Sequence, residues 1–530
     1  MAINSINFIL FVAIVSLIYF ICPKKTKWIV LLVSNYIFYF ICSKWLIIYM
    51  LITTISIYIL ALKMGKIDIR TKEKCKDEAD RKVKKEIKNK AKRNKKLLVG
   101  LAVLINFGIL VILKYSNFLA QNLNFIFNSI NIPVDIPLKK IILPLGISYY
   151  TLQSISYVVD VYRGKYLPEK HFGKVALFVS FFPQMVEGPI GRYDELANQL
   201  YESHKFDIER IKYGIQLMLW GYFKKMVIAD RAAIYVNTVF ANYQSYAGLP
   251  SFFAAAMYTL QIYAEFSGCI DIVRGTAQIF GITMAENFKR PFFSKSVQEF
   301  WRRWHITLGT WFKEYIFYPI SFSKLTVKIS ELSKKIFKTS YITKLIPAIF
   351  ALFFVWFGNG IWHGASWKYI FYGLYYYIIM VLGMIFEPLG NKILNKLKIN
   401  KETFSFKLFQ MIRTTIIVIF GMLIFRSESL HNAWNMFKQI FRPTNLGMIL
   451  NGRAFSIGIT KADFIIIIMS VGIMFIIGLL QEKEYKIREK ISEQNLPFRW
   501  IVYYTIIFAI IIFGIYGPGY VSSDFIYGQF

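Results

Sequence analysis

An all-α protein that crosses a membrane many times is the fold class this sequence predicts. Three observations carry the prediction. Of 530 residues, 56% are hydrophobic and 18% charged, against about 45–50% and about 25% in soluble chains. The apolar residues gather in long separated runs. The formal net charge of +33 sits between those runs. The abundance of aromatic and branched aliphatic residues excludes disorder. A nucleic-acid protein would collect its basic residues on a soluble domain, and no such domain is visible, so no nucleic-acid partner is expected.

A spanning helix needs about 20 mostly apolar residues. Residues 6–22, 28–42, 45–62, 97–113, 345–361, 367–387, 408–425, 464–480 and 500–517 meet that description. Four further runs, near 141–161, 175–190, 214–228 and 249–268, are interrupted by Gly, Pro or charge. Together they suggest roughly 11 spans. The whole chain reads as one membrane domain: N-terminal helices to 62, a basic segment at 63–96, a core at 97–370 and C-terminal helices at 371–530.

Orientation follows from the short early loops. Lys24, Lys25 and Lys27 fill the first and Lys44 alone the second. The third, 63–96, carries 16 basic against six acidic residues, a net of +10. Cytoplasmic loops are rich in Lys and Arg. This segment is therefore expected inside the cell and the N-terminus outside, with the first apolar run kept as a helix. The basic segment reads as a solvated helix or a contact for anionic lipid.

Residues 284–340 interleave Lys, Arg, Trp and Phe and offer no long apolar run, so interfacial or re-entrant helices are expected there. The four cysteines, Cys22, Cys42, Cys75 and Cys269, form no C-x-x-C pair, and no metal site is expected. Nor is there a Walker A or G-x-G-x-x-G motif.

Two of the five histidines lie in unusual surroundings. His363 sits in Trp-Phe-Gly-Asn-Gly-Ile-Trp-His-Gly-Ala-Ser-Trp (356–367). Gly358, Asn359, Gly360 and Gly364 predict an interrupted helix, tolerated at membrane depth only inside protein or beside water. His305 follows Glu299-Phe300-Trp301-Arg302-Arg303-Trp304. On a continuous helix Trp301, Trp304, His305, Leu308, Trp311 and Phe312 would share one face, with Glu299 and Arg303 paired beside it. From that pattern alone, a packed histidine on an interfacial helix is the reading favoured over a catalytic one. His171 and His204 read as solvated and His431 as interfacial. Glu265, Asp271 and Arg274 are polar groups in an apolar run, with Asp271 and Arg274 spaced to pair.

At these residues the sequence resembles the membrane-bound O-acyltransferase (MBOAT) superfamily, in particular its alginate O-acetylation branch. The resemblance runs through Leu143–Tyr157, Val159–Gly164, Phe181–Ile190, Phe223–Asp230, Phe266-Ser267-Gly268, Glu286-Asn287-Phe288, Trp301–His305 and Trp362–Trp367. Phe525–Phe530 is similar to the branch's closing signature, with Gly528 where Phe is usual. Departures are Glu265 for Asp, Cys269 for an aromatic, Lys313-Glu314-Tyr315 for Arg-Asp-Tyr, and Pro319-Ile320-Ser321 for Pro-Leu-Gly.

The resemblance implies two active-site histidines, His305 and His363. It also implies helices around a central tunnel, reached by an acyl donor from the cytoplasm and by an acceptor from outside. It implies acyl transfer, usually of acetyl, toward exported glycans, in some members with an extracytoplasmic partner protein. His363 is expected as general base, and His305 to orient the donor or stabilise an oxyanion, with an acyl-histidine as the alternative chemistry. Trp301, Arg302, Arg303, Trp304, Asn359 and Trp362 are expected to line the substrate path. The donor is expected to be acetyl-CoA, with no bound cofactor. The rival readings are D-alanyl transfer to teichoic acid and, more distantly, a transporter using Glu265, Asp271 and Arg274 as a relay.

Overall fold

The computed structural model describes residues 1–337 and 340–516; the closing Phe525–Phe530 lies outside the described residues. Among these, the regular structure is helical, joined by one isolated backbone bridge from Phe288 to Trp304. The chain packs as two compact units, Met1–Ile215 with Val273–Ala285, and Gln216–Ile272 with the described residues from Glu286 onward.

In chain order the helices are α1 (Ile6–Ile21), α2 (Lys27–Ser43), α3 (Ile47–Asp77), α4 (Arg81–Ser129), α5 (Ile147–Arg163), α6 (Phe172–Ser180), α7 (Phe182–Met185), α8 (Tyr193–Tyr201) and α9 (Ile208–Tyr222). There follow α10 (Asp230–Ala241), α11 (Leu249–Ile279), α12 (Val297–Arg303), α13 (Ile306–Phe312), α14 (Tyr318–Ser321), α15 (Lys324–Ile336) and α16 (Ser340–His363). The last are α17 (Trp367–Lys396), α18 (Phe404–Arg426), α19 (Leu430–Ile440), α20 (Leu446–Leu450), α21 (Lys461–Glu482), α22 (Ile487–Ser492) and α23 (Leu496–Phe513).

Among the described residues, seven helical stretches are long and apolar enough to cross a membrane: Lys24–Asp77, Arg81–Ser129, Tyr341–His363, Trp367–Lys396, Phe404–Arg426, Lys461–Glu482 and Leu496–Phe513. The first contains both α2 and α3, so it covers two of the sequence's runs. α1, at 16 residues, is shorter. The interrupted runs account for most of the remaining difference from roughly 11. In one of them α5 buries all but three of its 17 residues, the polar Ser148, Thr151, Gln153, Ser154 and Ser156 included. Gln153 is satisfied there, donating to the Phe178 carbonyl at 2.8 Å and to Gln184 Oε1 at 3.1 Å. By contrast α23 buries none of its residues. Its exposed Trp500, Ile501, Phe508, Ile511 and Ile512 are what a lipid-facing helix presents.

The basic segment 63–96 is a helical hairpin rather than an open loop. α3 continues to Asp77 and α4 begins at Arg81, leaving a turn of three residues, Glu78–Asp80. Asp80 caps α4 by accepting from the Lys82 amide at 2.7 Å. Lys and Glu are good helix formers, and a Lys95–Asp68 ion pair of 2.8 Å ties the two arms.

In the second unit α9 meets α11 at two glycines. A Cβ on Gly221 would stand 2.5 Å from the Gly268 carbonyl oxygen, so only glycine permits this approach. The contact leads into a π-helical turn at Phe223–Ala229. Here Lys225, fully buried, bridges Asp230 at 2.8 Å and Glu265 at 3.0 Å. Lys224 holds Asp271 at 2.7 Å. Arg231 pairs with Asp463 of α21. Buried charges persist when paired in this way. Glu265 and Asp271 are thus engaged in ion pairs that the sequence does not predict.

α16 runs unbroken through Gly358-Asn359-Gly360 and ends at His363, which corrects the interrupted helix expected there. The glycines serve packing instead. A Cβ on Gly360 would lie 2.5 Å from the Tyr369 carbonyl oxygen, and one on Gly373 would lie 2.3 Å from that of Trp356. α16 and α17 therefore touch backbone to backbone across the turn Gly364–Ser366, and this close contact fixes the end of α16.

Candidate active site

The segment around His305 is also not one continuous helix. α12 stops at Arg303, Trp304 is extended, and His305 adopts a left-handed conformation (φ 47°) before α13 starts. A shared face from Trp301 to Phe312 is therefore not formed. Residues 287–289 impose the break. The Lys289 amide donates to the Arg303 carbonyl at 2.9 Å, and the Ile306 amide donates to the Asn287 carbonyl at 3.0 Å. A left-handed non-glycine residue costs about 1–3 kcal/mol and persists where its surroundings determine it.

Asn287 is that surrounding. Fully buried, its side-chain oxygen accepts from the Thr307 amide at 3.0 Å and the Thr307 hydroxyl at 2.9 Å, and lies 3.2 Å from His305 Nδ1. With the backbone bond to Ile306, Asn287 satisfies the first two amides of α13, the work of an N-cap. Its own amide nitrogen has no hydrogen-bond partner among the described residues.

Both predicted histidines are 3% exposed, and Trp362 is in ring contact with each. Its ring centre is 5.9 Å from that of His305 and 5.1 Å from that of His363. Phe266 meets the His305 ring edge-on at 4.8 Å. Phe425 and Tyr372 meet His363 at 5.2 and 5.7 Å. Burial in this aromatic wall lowers His305 from its usual 6.5 to about 3, so its imidazole is neutral at physiological pH.

The other predicted residues divide. Trp304 packs on Phe300 and Phe288 and supports the bridge, and Trp301 packs on Trp356 and Tyr376. Arg303 is committed to Glu299 at 2.7 Å and Glu482 at 3.0 Å. The first contact is the pair expected from spacing; the second, with Arg290 on the same Glu482 at 2.6 Å, ties this segment to α21. Arg302 is exposed. Asn359 is half-buried on α16, four residues before His363. His171 and His431 are exposed and His204 is half-buried. No cluster of three or more His, Cys, Asp or Glu residues suited to a metal occurs among the described residues.

Asn287, Phe266, Tyr372, Phe425 and Glu482 were not read as site residues from the sequence. Asn287 carried the clearest signal, since it stands in the Glu286-Asn287-Phe288 motif through which the resemblance runs.

A many-helix membrane protein with a buried histidine pair on one tryptophan is the class that the fold and site define. Residues 169–333 match the MBOAT, membrane-bound O-acyltransferase family, and with the relatives that follow this match makes the chain an O-acyltransferase. The match includes His305 and ends before His363. The chain is 28% identical over 484 residues to "Probable alginate O-acetylase AlgI" of Pseudomonas syringae pv. tomato, covering 91% of this chain and 83% of that relative. It is 30% identical over 306 residues to the peptidoglycan O-acetyltransferase of Helicobacter pylori, covering 53% and 54%. It is 29% identical over 311 residues to the teichoic acid D-alanyltransferase of Bacillus subtilis, covering 56% and 72%.

Proposed function

We propose that this multi-pass membrane protein moves an acetyl group from a cytoplasmic acyl thioester, acetyl-CoA, toward hydroxyls of an exported cell-surface polysaccharide. The observation that carries the reading is the burial of His305 and His363, both in ring contact with Trp362. An acyl-transfer site must exclude water, or the thioester is hydrolysed, and an aromatic enclosure does so. In the reaction the hydroxyl oxygen bonds to the acyl carbon and the C–S bond breaks. The hydroxyl proton passes to a histidine and then to the leaving thiolate. His363 is the proposed base, and Trp362 and Asn359 lie on its helix where substrate must pass. Arg302, exposed beside His305, is proposed to meet the anionic donor, while Trp301, Arg303 and Trp304 shape the wall behind it.

The named activities of the relatives support polysaccharide as acceptor, two of them as O-acetyl transfer. The final acceptor is reached directly or through an extracytoplasmic partner. The D-alanyltransferase relative supports a second reading, D-alanyl transfer to teichoic acid. In the proposed topology the basic hairpin 63–96 faces the cytoplasm and the N-terminus faces outward.

Replacing His363 by Ala, with protein level checked in the membrane, tests the reading. Ester-linked acetate on purified surface polymers is expected to fall at least about 100-fold, the scale of a lost acid–base group. Undiminished acetate sinks the assignment, and ester-linked D-alanine that falls instead selects the second reading.

A further inference from the structure

The three contacts on Asn287 determine more than its own orientation. A backbone N–H can only donate, so the Asn287 atom that meets the Thr307 amide is the oxygen. This settles from the backbone an assignment usually left to choice. The same oxygen lies 3.2 Å from His305 Nδ1, and an amide oxygen only accepts. Nδ1 therefore carries the hydrogen, and in a neutral imidazole Nε2 then carries a lone pair.

We infer that Asn287 is a positioning residue that locks His305 in its Nδ1–H tautomer, making Nε2 a hydrogen acceptor for substrate rather than a donor to an oxyanion. The inference rests on the acyl-transfer reading only for its catalytic consequence; the tautomer stands on geometry. Donation from Nε2 would require an imidazolium, which burial opposes. The oxyanion role suggested for His305 by the sequence therefore does not fit its surroundings. The left-handed backbone of His305 belongs to the same arrangement, because it sets the ring against Asn287 while Asn287 caps α13.

The test uses the full-length protein in lipid, labelled with nitrogen-15 histidine. With only five histidines in the chain, solid-state NMR can assign His305 by the signal lost in His305→Gln. The expected wild-type spectrum near neutral pH shows a protonated Nδ1 and a bare Nε2; an Nε2–H tautomer overturns the inference without any variant of Asn287. Asn287→Leu removes the acceptor and is expected to release the Nε2–H tautomer and lower turnover about 100-fold. Asn287→Asp keeps an acceptor and is expected to keep the tautomer and regain about tenfold or more of that loss. If both variants lose activity equally while the tautomer stays unchanged, Asn287 is structural and the positioning role is wrong. A wild-type protein with the expected tautomer but no acyl transfer would sink the functional reading alone.

Discussion

His305 links the stability of the protein to pH with a definite sign. Its folded value, about 3, lies below the ordinary 6.5. Between those values the unfolded chain binds a proton that the folded chain does not, so stability rises with pH across that interval. The contribution is full above pH 6.5 and is lost as pH falls toward 3. Thermal unfolding in detergent is expected to show a Tm that drops on acidification below 6.5, with a smaller drop in His305→Gln. Equal acid sensitivity in both proteins would show that His305 is not the group responsible. Lys225 gives the other residue-scale expectation. It is buried between Asp230 and Glu265, and Lys225→Met removes the cation that both buried carboxylates share, a loss of about 3–5 kcal/mol. Part of that loss is expected to return when Asp230→Asn and Glu265→Gln are added, as read from Tm and membrane yield. No recovery would mean that the lysine's packing, rather than its charge, is what matters.

At the scale of elements, the junction of α16 and α17 governs where His363 sits. Gly373 faces the Trp356 carbonyl oxygen so closely that a Cβ would stand 2.3 Å from it. Gly373→Ala must force the two helices apart, at about 1–3 kcal/mol for overpacking. Activity is expected to fall more than stability, because α16 ends on His363; wild-type turnover in Gly373→Ala would contradict this. The sequence made the glycines around His363 visible but not their purpose. Glycine breaks helices in isolation and lets them touch in a packed pair, and only the partner helix decides which applies. The break at His305 was hidden for the matching reason. Its helical spacing is genuine over Val297–Arg303 and again over Ile306–Phe312. The interruption comes from Asn287, 18 residues earlier, and no local pattern reports a contact that distant. What was legible was local: two histidines set among aromatic residues, and the Glu299–Arg303 pair.

For the whole molecule, the long apolar helices were readable because each is a property of a continuous run. The four interrupted runs were not, since burial of α5 and the ion pairs on α9 through α11 depend on neighbours distant in sequence. The basic hairpin makes the proposed topology testable. α4 has 49 residues, about 74 Å at 1.5 Å per residue, more than twice the roughly 30 Å of a bilayer core. A cysteine placed at the turn by Glu78→Cys, in a chain with its own cysteines removed, is expected to react with an impermeant maleimide only in inverted vesicles. Labelling in intact cells would reverse the orientation.

The pairing of Arg231 with Asp463 has a consequence for how the protein is made. The two residues are 232 apart in the chain. At about 5–20 residues per second the ribosome reaches the carboxylate roughly 12–46 s after the guanidinium. During that wait α10 holds a cation whose acidic counterpart does not yet exist, and such a side chain stays at the headgroups rather than entering hydrocarbon. The second unit therefore closes late, after α21 has been inserted. A chain released before Asp463 reaches the membrane with α10 still unseated, the kind of half-built product that quality-control proteases clear.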